Sequence, residues 1–394
     1  MSDAVPERGQ PDAGAPRRRG RVRKRHTIGK VLLATTLVLV MATGLGTVWL
    51  YRHLNGNLNV LDPTAQLSNR PDKVKVEGPQ EPLNILVMGS DSRDCAGCNI
   101  DNLTGGGQRS DTTILFHLSA DRERAYGISI PRDSMVDRPD CKTEDGETIP
   151  GADNVMWNEA FGLGGPACTI QQFEQLTGVR LDHFVVVDFE GFQGMVDAIG
   201  GVEVCIPEPI VDPAHGINIE AGTRKIKGKE ALNYVRERYV VGNGSDIGRM
   251  KRQQAFIGSM AHQVVTAGTL ARPDHLVGFL NSATKSLTVD PGLQDVWKLA
   301  KLGVEFKGIG LDKIQFITIP NIPDPADPNR LVWKDPQAEQ VWQKVARDEP
   351  LTKKLSDGVI SAGNLPGSGS SSGSGSGTTS EADKQALEDA GLCT

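Results

Sequence analysis

The chain has 394 residues, with 43 Lys and Arg against 49 Asp and Glu, for a formal net charge of −6 at pH 7. That length suits one large domain or two ordinary ones with appendages. The net acidity excludes a general nucleic-acid binder, so any basic cluster must act locally.

Residues 1–30 are polar and carry the basic run "RRRGRVRKRH" with no apolar stretch, which reads as a cytoplasmic basic tail. Residues 31–51, "VLLATTLVLVMATGLGTVWLY", contain no charge. At about 1.5 Å per residue they make roughly 31 Å of helix, enough to cross a bilayer core. Trp49 and Tyr51 stand at the far end, where aromatic rings favour the interface. The basic flank places the N-terminus in the cytoplasm and the rest outside. A cleaved signal peptide is the alternative, but the run is too long and no clear A-x-A site follows. A DNA-binding arm is a second alternative for the Arg run, and topology beside a span explains it more simply.

Residues 52–82 show no clear periodicity and read as an extracellular stalk. A globular domain is expected over 83–350. In it "LNILVMG", "TTILFHLS", "AYGISI", "HFVVVDF", "VEVCIP" and "IQFITIP" suit buried strands. Helical spacing appears in "TIQQFEQLTG", "FEGFQGMVDAIGG", "KGKEALNYVRER", "HLVGFLNSATKSL" and "LQDVWKLAKLGVEF". A long amphipathic helix is expected over 246–266, with Met250, Ile257, Ala261 and Val264 on one face. Such alternation argues for an α/β sandwich with helices on both faces of a sheet. Residues 351–394 contain "GSGSSSGSGSGTTSEADK" and read as a Gly/Ser-rich disordered tail.

Six cysteines (Cys95, Cys98, Cys141, Cys168, Cys205, Cys393) fall on the oxidising side of the membrane, where disulfides persist. Zinc at Cys95-x-x-Cys98 lacks a second ligand pair, so a local disulfide is expected there. Cys141–Cys168 is a plausible second bridge, although fifteen full pairings of the six are possible.

Most catalytic signatures are missing: no GxxxxGK[ST], no GxGxxG after a strand, no HExxH, and no helix-turn-helix pattern. What remains is Arg and Asp at strand ends. "LNILVMGSDSR" delivers Asp91 and Arg93, "GGGQRSDTTILF" delivers Arg109 and Asp111, and "ISIPRDS" delivers Arg132 and Asp133. Ligands of α/β sheets collect at strand ends, guanidinium forks grip phosphate, and carboxylates attract hard cations. Each pair alone is also compatible with a solvated salt bridge. "YVRERYVVGNGSDIGRMKRQQ" adds five basic side chains in twenty-one residues. Ser245 or Asp246 suits the cap of the long helix. Spacing puts Arg249, Arg252, Gln253 and Phe256 on one face, apart from the Met250/Ile257 face. Arg236 and Arg238 meet one ligand only if the chain leaves helical geometry between them. An exposed basic helix end is the plain alternative.

Taken together, "NILVMGSDSR", "RSDTTILFHL", "ISIPRDS", "NEAFGLGGP", "FVVVDFEGFQGMVDAIGGVEV" and "ALNYVRERY…SDIGRMKRQQ" resemble the LytR–CpsA–Psr family of bacterial cell-wall proteins. The resemblance spans roughly residues 83–260. It implies an α-β-α sandwich with a central mixed sheet, preceded by one transmembrane helix. It implies a ligase that moves a glycan phosphate from a polyprenyl-pyrophosphate-linked glycopolymer to peptidoglycan and releases the lipid monophosphate. In that reading Asp91 and Asp111 hold Mg²⁺ (or Mn²⁺), and Arg109, Arg132, Arg236, Arg238 and Arg249 contact phosphate oxygens, with Gln253 in support. Asp246 matches the family's acidic residue ahead of the last Arg, as a cap or Arg-positioner. An apolar lipid tunnel between helices of 170–200 and 247–306 is also implied. The stretch between Asp91 and Asp111, with its C-x-x-C pair, is long for the family. It is either a disulfide-stapled loop or part of the acceptor groove, and its length leaves open whether Asp91 reaches the metal. Rival functions are a pyrophosphatase with water as acceptor and a non-catalytic wall-binding or regulatory protein.

Overall fold

The computed structural model describes residues 25–90, 110–266, 272–356, 358–367 and 381–394. The chain separates into two compact units, Met1–Arg52 and His53–Thr394. The first carries most of helix α1 (Arg25–Asn57), whose stretch Ile28–Asn57 is long and apolar enough to cross a membrane, with a mean hydropathy of 2.1. The helix overruns the expected 31–51 at both ends, because no proline interrupts it before Pro63.

The second unit is built on eight strands: β1 (Asn59–Val60), β2 (Leu83–Ser90), β3 (Ser110–Leu118), β4 (Ala125–Ile130), β5 (His183–Asp188), β6 (Leu287–Val289), β7 (Ile314–Thr318) and β8 (Ile360–Ser361). They lie in the order β1-β6-β5-β2-β3-β4-β7-β8. Pairs β1/β6, β5/β2 and β4/β7 are parallel and the rest antiparallel, so the sheet is mixed. The helices after α1 are α2 (Glu159–Thr177), α3 (Phe189–Ala198), α4 (Gly228–Arg236), α5 (Asp246–Thr266), α6 (Pro273–Ser286), α7 (Val296–Ile309), α8 (Gln337–Ala346) and α9 (Glu381–Glu388).

Successive side chains of a strand point to opposite faces, and here both faces are apolar. Leu86 and Met88 of β2, with Phe184 and Val186 of β5, pack against Phe161, Ile170 and Phe173 of α2 and Val341 and Trp342 of α8. Ile85 and Val87, with Val185 and Val187, join the opposite core with Ala255 of α5, Leu302 and Phe306 of α7, and Leu387 of α9. The result is the expected α-β-α sandwich. "VEVCIP" forms a strand outside this sheet, pairing with Gly222–Ile226 in a hairpin that packs on α3, α4 and α5. Gly200 and Gly201 both have positive φ, which turns the chain away from the central layer.

Two boundaries differ from expectation. The supposed stalk is docked: β1 joins the sheet edge, Ser68 N donates to Gln171 Oε1 at 2.8 Å, and Arg70 Nε meets Glu174 Oε2 at 2.7 Å. The 351–394 segment is not all tail. β8 extends the sheet, α9 packs on the core, and Cys393 is bonded to Cys205. Sparse apolar positions hid both segments, because their contacts are supplied by distant parts of the chain. The Cys141–Cys168 bridge is formed, whereas Cys95 and Cys98 lie outside the described residues.

Trp157 is fully buried, donates Nε1–H to Thr113 Oγ1 at 3.1 Å, and packs edge-on to Phe173. Its backbone N–H also donates to Ser134 O at 2.8 Å, behind the loop that carries Arg132. Trp157→Ala is expected to cost about 3–5 kcal/mol through the cavity it leaves. A denaturant midpoint at the wild-type value would contradict this packing role.

Candidate functional site

The start of β3, the end of β4 and the end of β2 meet at one end of the sheet, since Thr113 pairs with Ile130 and Ser90 with Ser110. Asp111 stands at the start of β3, and Arg132 follows β4. Arg132 Nη1 donates to Asp111 Oδ1 at 2.7 Å. Helix α5 delivers Asp246 and Arg249 to the same place. Ser245 caps that helix by accepting from Gly248 N at 3.0 Å. Buried Gln254 locks α5 onto the sheet by donating to Ser129 Oγ at 2.9 Å and to Thr318 Oγ1 at 3.1 Å.

Asp246 Oδ1 lies 2.5 Å from Arg249 Nη2, 3.7 Å from Arg132 Nε and 4.0 Å from Arg238 Nη1. Asp133 Oδ2 lies 3.7 Å from Arg132 Nε and 3.9 Å from Arg238 Nη1. Guanidinium and carboxylate groups therefore alternate around a common centre. Burial opposes the charge on Arg132, but Asp111, Asp246 and Asp133 together outweigh it and raise its pKa. Arg249 is more deeply buried, and burial lowers its pKa despite Asp246. Both buried oxygens of Asp246 lack a hydrogen-bond donor in good geometry. Its charge is balanced by the ion pairs with Arg249, Arg132 and Arg238.

Arg236 ends α4, and Glu237 follows with φ −59° and ψ 135°, so the chain does leave helical geometry between Arg236 and Arg238. Arg238 then reaches the acids, while the Arg236 guanidinium lies 4.6 Å above the Phe189 ring. Gln253 ties β3 to α4: Thr112 Oγ1 donates to its Oε1 at 3.2 Å, and its Nε2 donates to Val235 O at 3.1 Å. Asp91 and Arg109 lie outside the described residues. Arg252 and Phe256 do not share the site with Arg249. Phe256 is core, and buried Arg252 donates Nη1–H to Ala390 O at 2.9 Å and Nη2–H to Glu237 O. A helical face broad enough to hold both groups is split here between ligand side and interior.

Sequence reasoning missed Arg330. Its Nη1 donates to Asp133 Oδ1 at 3.0 Å, and Leu331 N donates to Asp133 O at 3.2 Å. No local signal marks Arg330, which reaches the site from a loop almost two hundred positions beyond Asp133. Carboxylate oxygens are the donors that a hard divalent cation takes, and Asp111 brings a carboxylate to the site, so the donor type suits such an ion. Among the described residues, no three His, Cys, Asp or Glu side chains form a ligand set by themselves.

Fold and site define an α-β-α sandwich with an arginine–carboxylate cluster at one end of its sheet. The sequence model of the LytR_cpsA_psr family matches residues 51–347, and the chain belongs to that family. It is 31% identical over 343 residues to the probable cell wall biosynthesis protein LcpB of Corynebacterium glutamicum, covering 85% of this chain and 75% of that protein. It is 26% identical over 323 residues to TagV of Bacillus subtilis, named a polyisoprenyl-teichoic acid–peptidoglycan teichoic acid transferase, covering 80% of this chain and 76% of TagV. Among solved structures, the LytR-Csp2A-Psr enzyme from Actinomyces oris superposes with a TM-score of 0.54 at 20% identity, over 74% of this chain and 96% of that one.

Proposed function

We propose that this protein is a membrane-anchored phosphotransferase of cell-wall assembly. It moves a glycan phosphate from a polyprenyl-pyrophosphate-linked glycopolymer onto peptidoglycan and releases polyprenyl phosphate. The observation that carries this reading is the meeting of Arg132, Arg238 and Arg249 around Asp111, Asp133 and Asp246 at one sheet end. TagV and its named activity support the same class of reaction. Helix α1 is the anchor, with the N-terminus cytoplasmic and the domain outside the cell. Two disulfides among the described residues agree with an oxidising compartment.

The chemistry follows from charge. A pyrophosphate repels an incoming hydroxyl, and planar guanidinium groups reduce that repulsion by bidentate contact with its oxygens. The acceptor hydroxyl oxygen bonds to the glycan-bearing phosphorus as the P–O–P bond breaks, and its proton passes to a carboxylate of the site, Asp91 or Asp246. Arg132, Arg238 and Arg249 stabilise the charge gathering on the leaving lipid phosphate, with Arg109 and Arg236 completing the set. Asp246 and Asp133 keep the arginines spread until substrate arrives. Asp111 and Asp91 would hold Mg²⁺ (or Mn²⁺), which when bound supplies further neutralisation of the pyrophosphate. Positioning and electrostatics suffice for phosphoryl transfer, so no Ser–His–Asp arrangement is required.

The test incubates the full chain in detergent with a polyprenyl-pyrophosphate-linked glycan and peptidoglycan fragments. Expected products are polyprenyl phosphate and a glycan–peptidoglycan phosphodiester in equal amounts, and chelation by EDTA reduces both to background. Hydrolysis of the donor without any phosphodiester would replace this reading with that of a pyrophosphatase.

A further inference from the structure

A second concavity, about 490 Å³ in volume, opens at the same end of the sheet, on the face covered by α2. Its floor includes Ser90, Asp188 and Thr288 at strand ends, and Phe161 and Leu163 of α2 form one wall. The turn of the hairpin between Cys141–Lys142 and Thr148–Ile149 contributes Thr143 and Glu144 opposite. Ser90 pairs with Ser110 on one side and Asp188 on the other, so the cavity begins one strand from Asp111. At about 4.8 Å between strands, that distance lies within the reach of one sugar unit.

The concavity is built. The Cys141–Cys168 bridge staples the hairpin to α2. Helical geometry breaks inside α2 at Gly164 (φ −134°, ψ 17°) and Gly165 (φ 61°, ψ −150°), which shapes the wall. A Cβ at Gly164 would come 2.7 Å from Cys168 Cβ, so glycine is required for the helix to close on its own bridge. The block "NEAFGLGGP" thus has a place in the fold that the arginine cluster does not use.

Charge separates this cavity from the cluster beside it. Among the described residues no Lys or Arg lines it, whereas Glu144 and Asp188 do. An anionic pyrophosphate or glycan phosphate is repelled from such a lining. An uncharged sugar is not: its hydroxyls donate to carboxylate and hydroxyl oxygens, and its C–H face lies on Phe161 and Leu163. Burial raises the pKa of Asp188, whose carboxylate accepts from Gly191 N at 2.7 Å and caps α3.

We propose that this cavity is the acceptor subsite, taking an uncharged hexosamine of the acceptor glycan and presenting its hydroxyl toward Asp111 and Arg132. This rests on the transferase reading. Leu163, 47% exposed on the lip, is the position to test. Leu163→Trp fills the mouth, and Glu144→Arg, on an exposed turn, serves as a second variant that needs no repacking. In each, the partition between transfer and donor hydrolysis is expected to shift at least tenfold toward hydrolysis, with a rise in acceptor KM. An unchanged partition in both variants overturns the subsite. Titration of the full chain with chitotetraose, followed by NMR, gives an independent reading. Binding that is lost in Leu163→Trp supports the subsite, and no binding by the wild-type chain overturns it. Absence of any donor turnover in the wild type defeats the transferase reading instead, and the chitotetraose titration then decides the cavity by itself.

Discussion

Replacing Arg132 by Ala is expected to lower glycan transfer by about 10²–10³-fold, the usual loss when one preorganised charge stabiliser is removed. The side chain is central, with Asp111 at 2.7 Å and Asp133 and Asp246 both at 3.7 Å. Its removal takes a guanidinium from the proposed phosphate site and leaves Asp111 without its 2.7 Å partner, so donor binding and turnover are both expected to fall. Lys should rescue little, because a point charge cannot reproduce the fork that meets Asp111 and phosphate together. Arg236→Ala is expected to act in the same direction. Initial rates of polyprenyl phosphate release measure both variants, and wild-type rates in the two would remove the cluster from the mechanism. Circular dichroism should show the fold intact, since Arg132 is only half-buried and no core contact depends on it.

Replacing Cys205 and Cys393 together by Ser is expected to destabilise the domain by about 2–5 kcal/mol, the common cost of losing a native disulfide. The bridge closes a separation of 188 residues, so its loss frees a long stretch of unfolded chain. It also releases residues that support the site from behind. Asn243 N, just before Asp246, donates to Asp389 O at 2.9 Å, and Arg252, just after Arg249, donates to Ala390 O. Burial pushes the Arg252 pKa down to about 10, and undocking this segment exposes the guanidinium to water. Calorimetry of the double variant should show the melting temperature reduced by roughly 5–10 °C. An unchanged midpoint would mean that the C-terminal segment contributes nothing to the folded state.

Much of the site was legible because its residues sit next to strong local signals. Asp111 and Arg132 flank apolar runs that can only be strands, and Asp246 and Arg249 open a helix with a clear apolar stripe. Spacing on that helix misled at Arg252 and Phe256, because periodicity gives a face and not the partner that will cover it. Arg252 is covered by the segment around Ala390, remote in sequence and poor in apolar residues, and Phe256 by Phe192 and Tyr234. Arg330 was invisible for a related reason: an isolated Arg in a Pro/Asp-rich loop carries no periodicity at all. The docked 53–82 segment belongs with these, since Ser68 and Arg70 find Gln171 and Glu174 a hundred positions later.

By itself the sequence determined the long apolar helix, the alternation of strands and helices, and the identity of the arginines and carboxylates offered at the candidate site. These depend on local hydrophobic pattern and side-chain chemistry, which are present residue by residue. Only the tertiary structure decided which arginines converge, that Arg252 turns inward, that Cys205 pairs with Cys393, and that a carboxylate-lined cavity lies one strand from Asp111. Those outcomes depend on sheet order and register, where a strand's neighbour is chosen by burial of two faces at once. Chain order alone does not carry that choice.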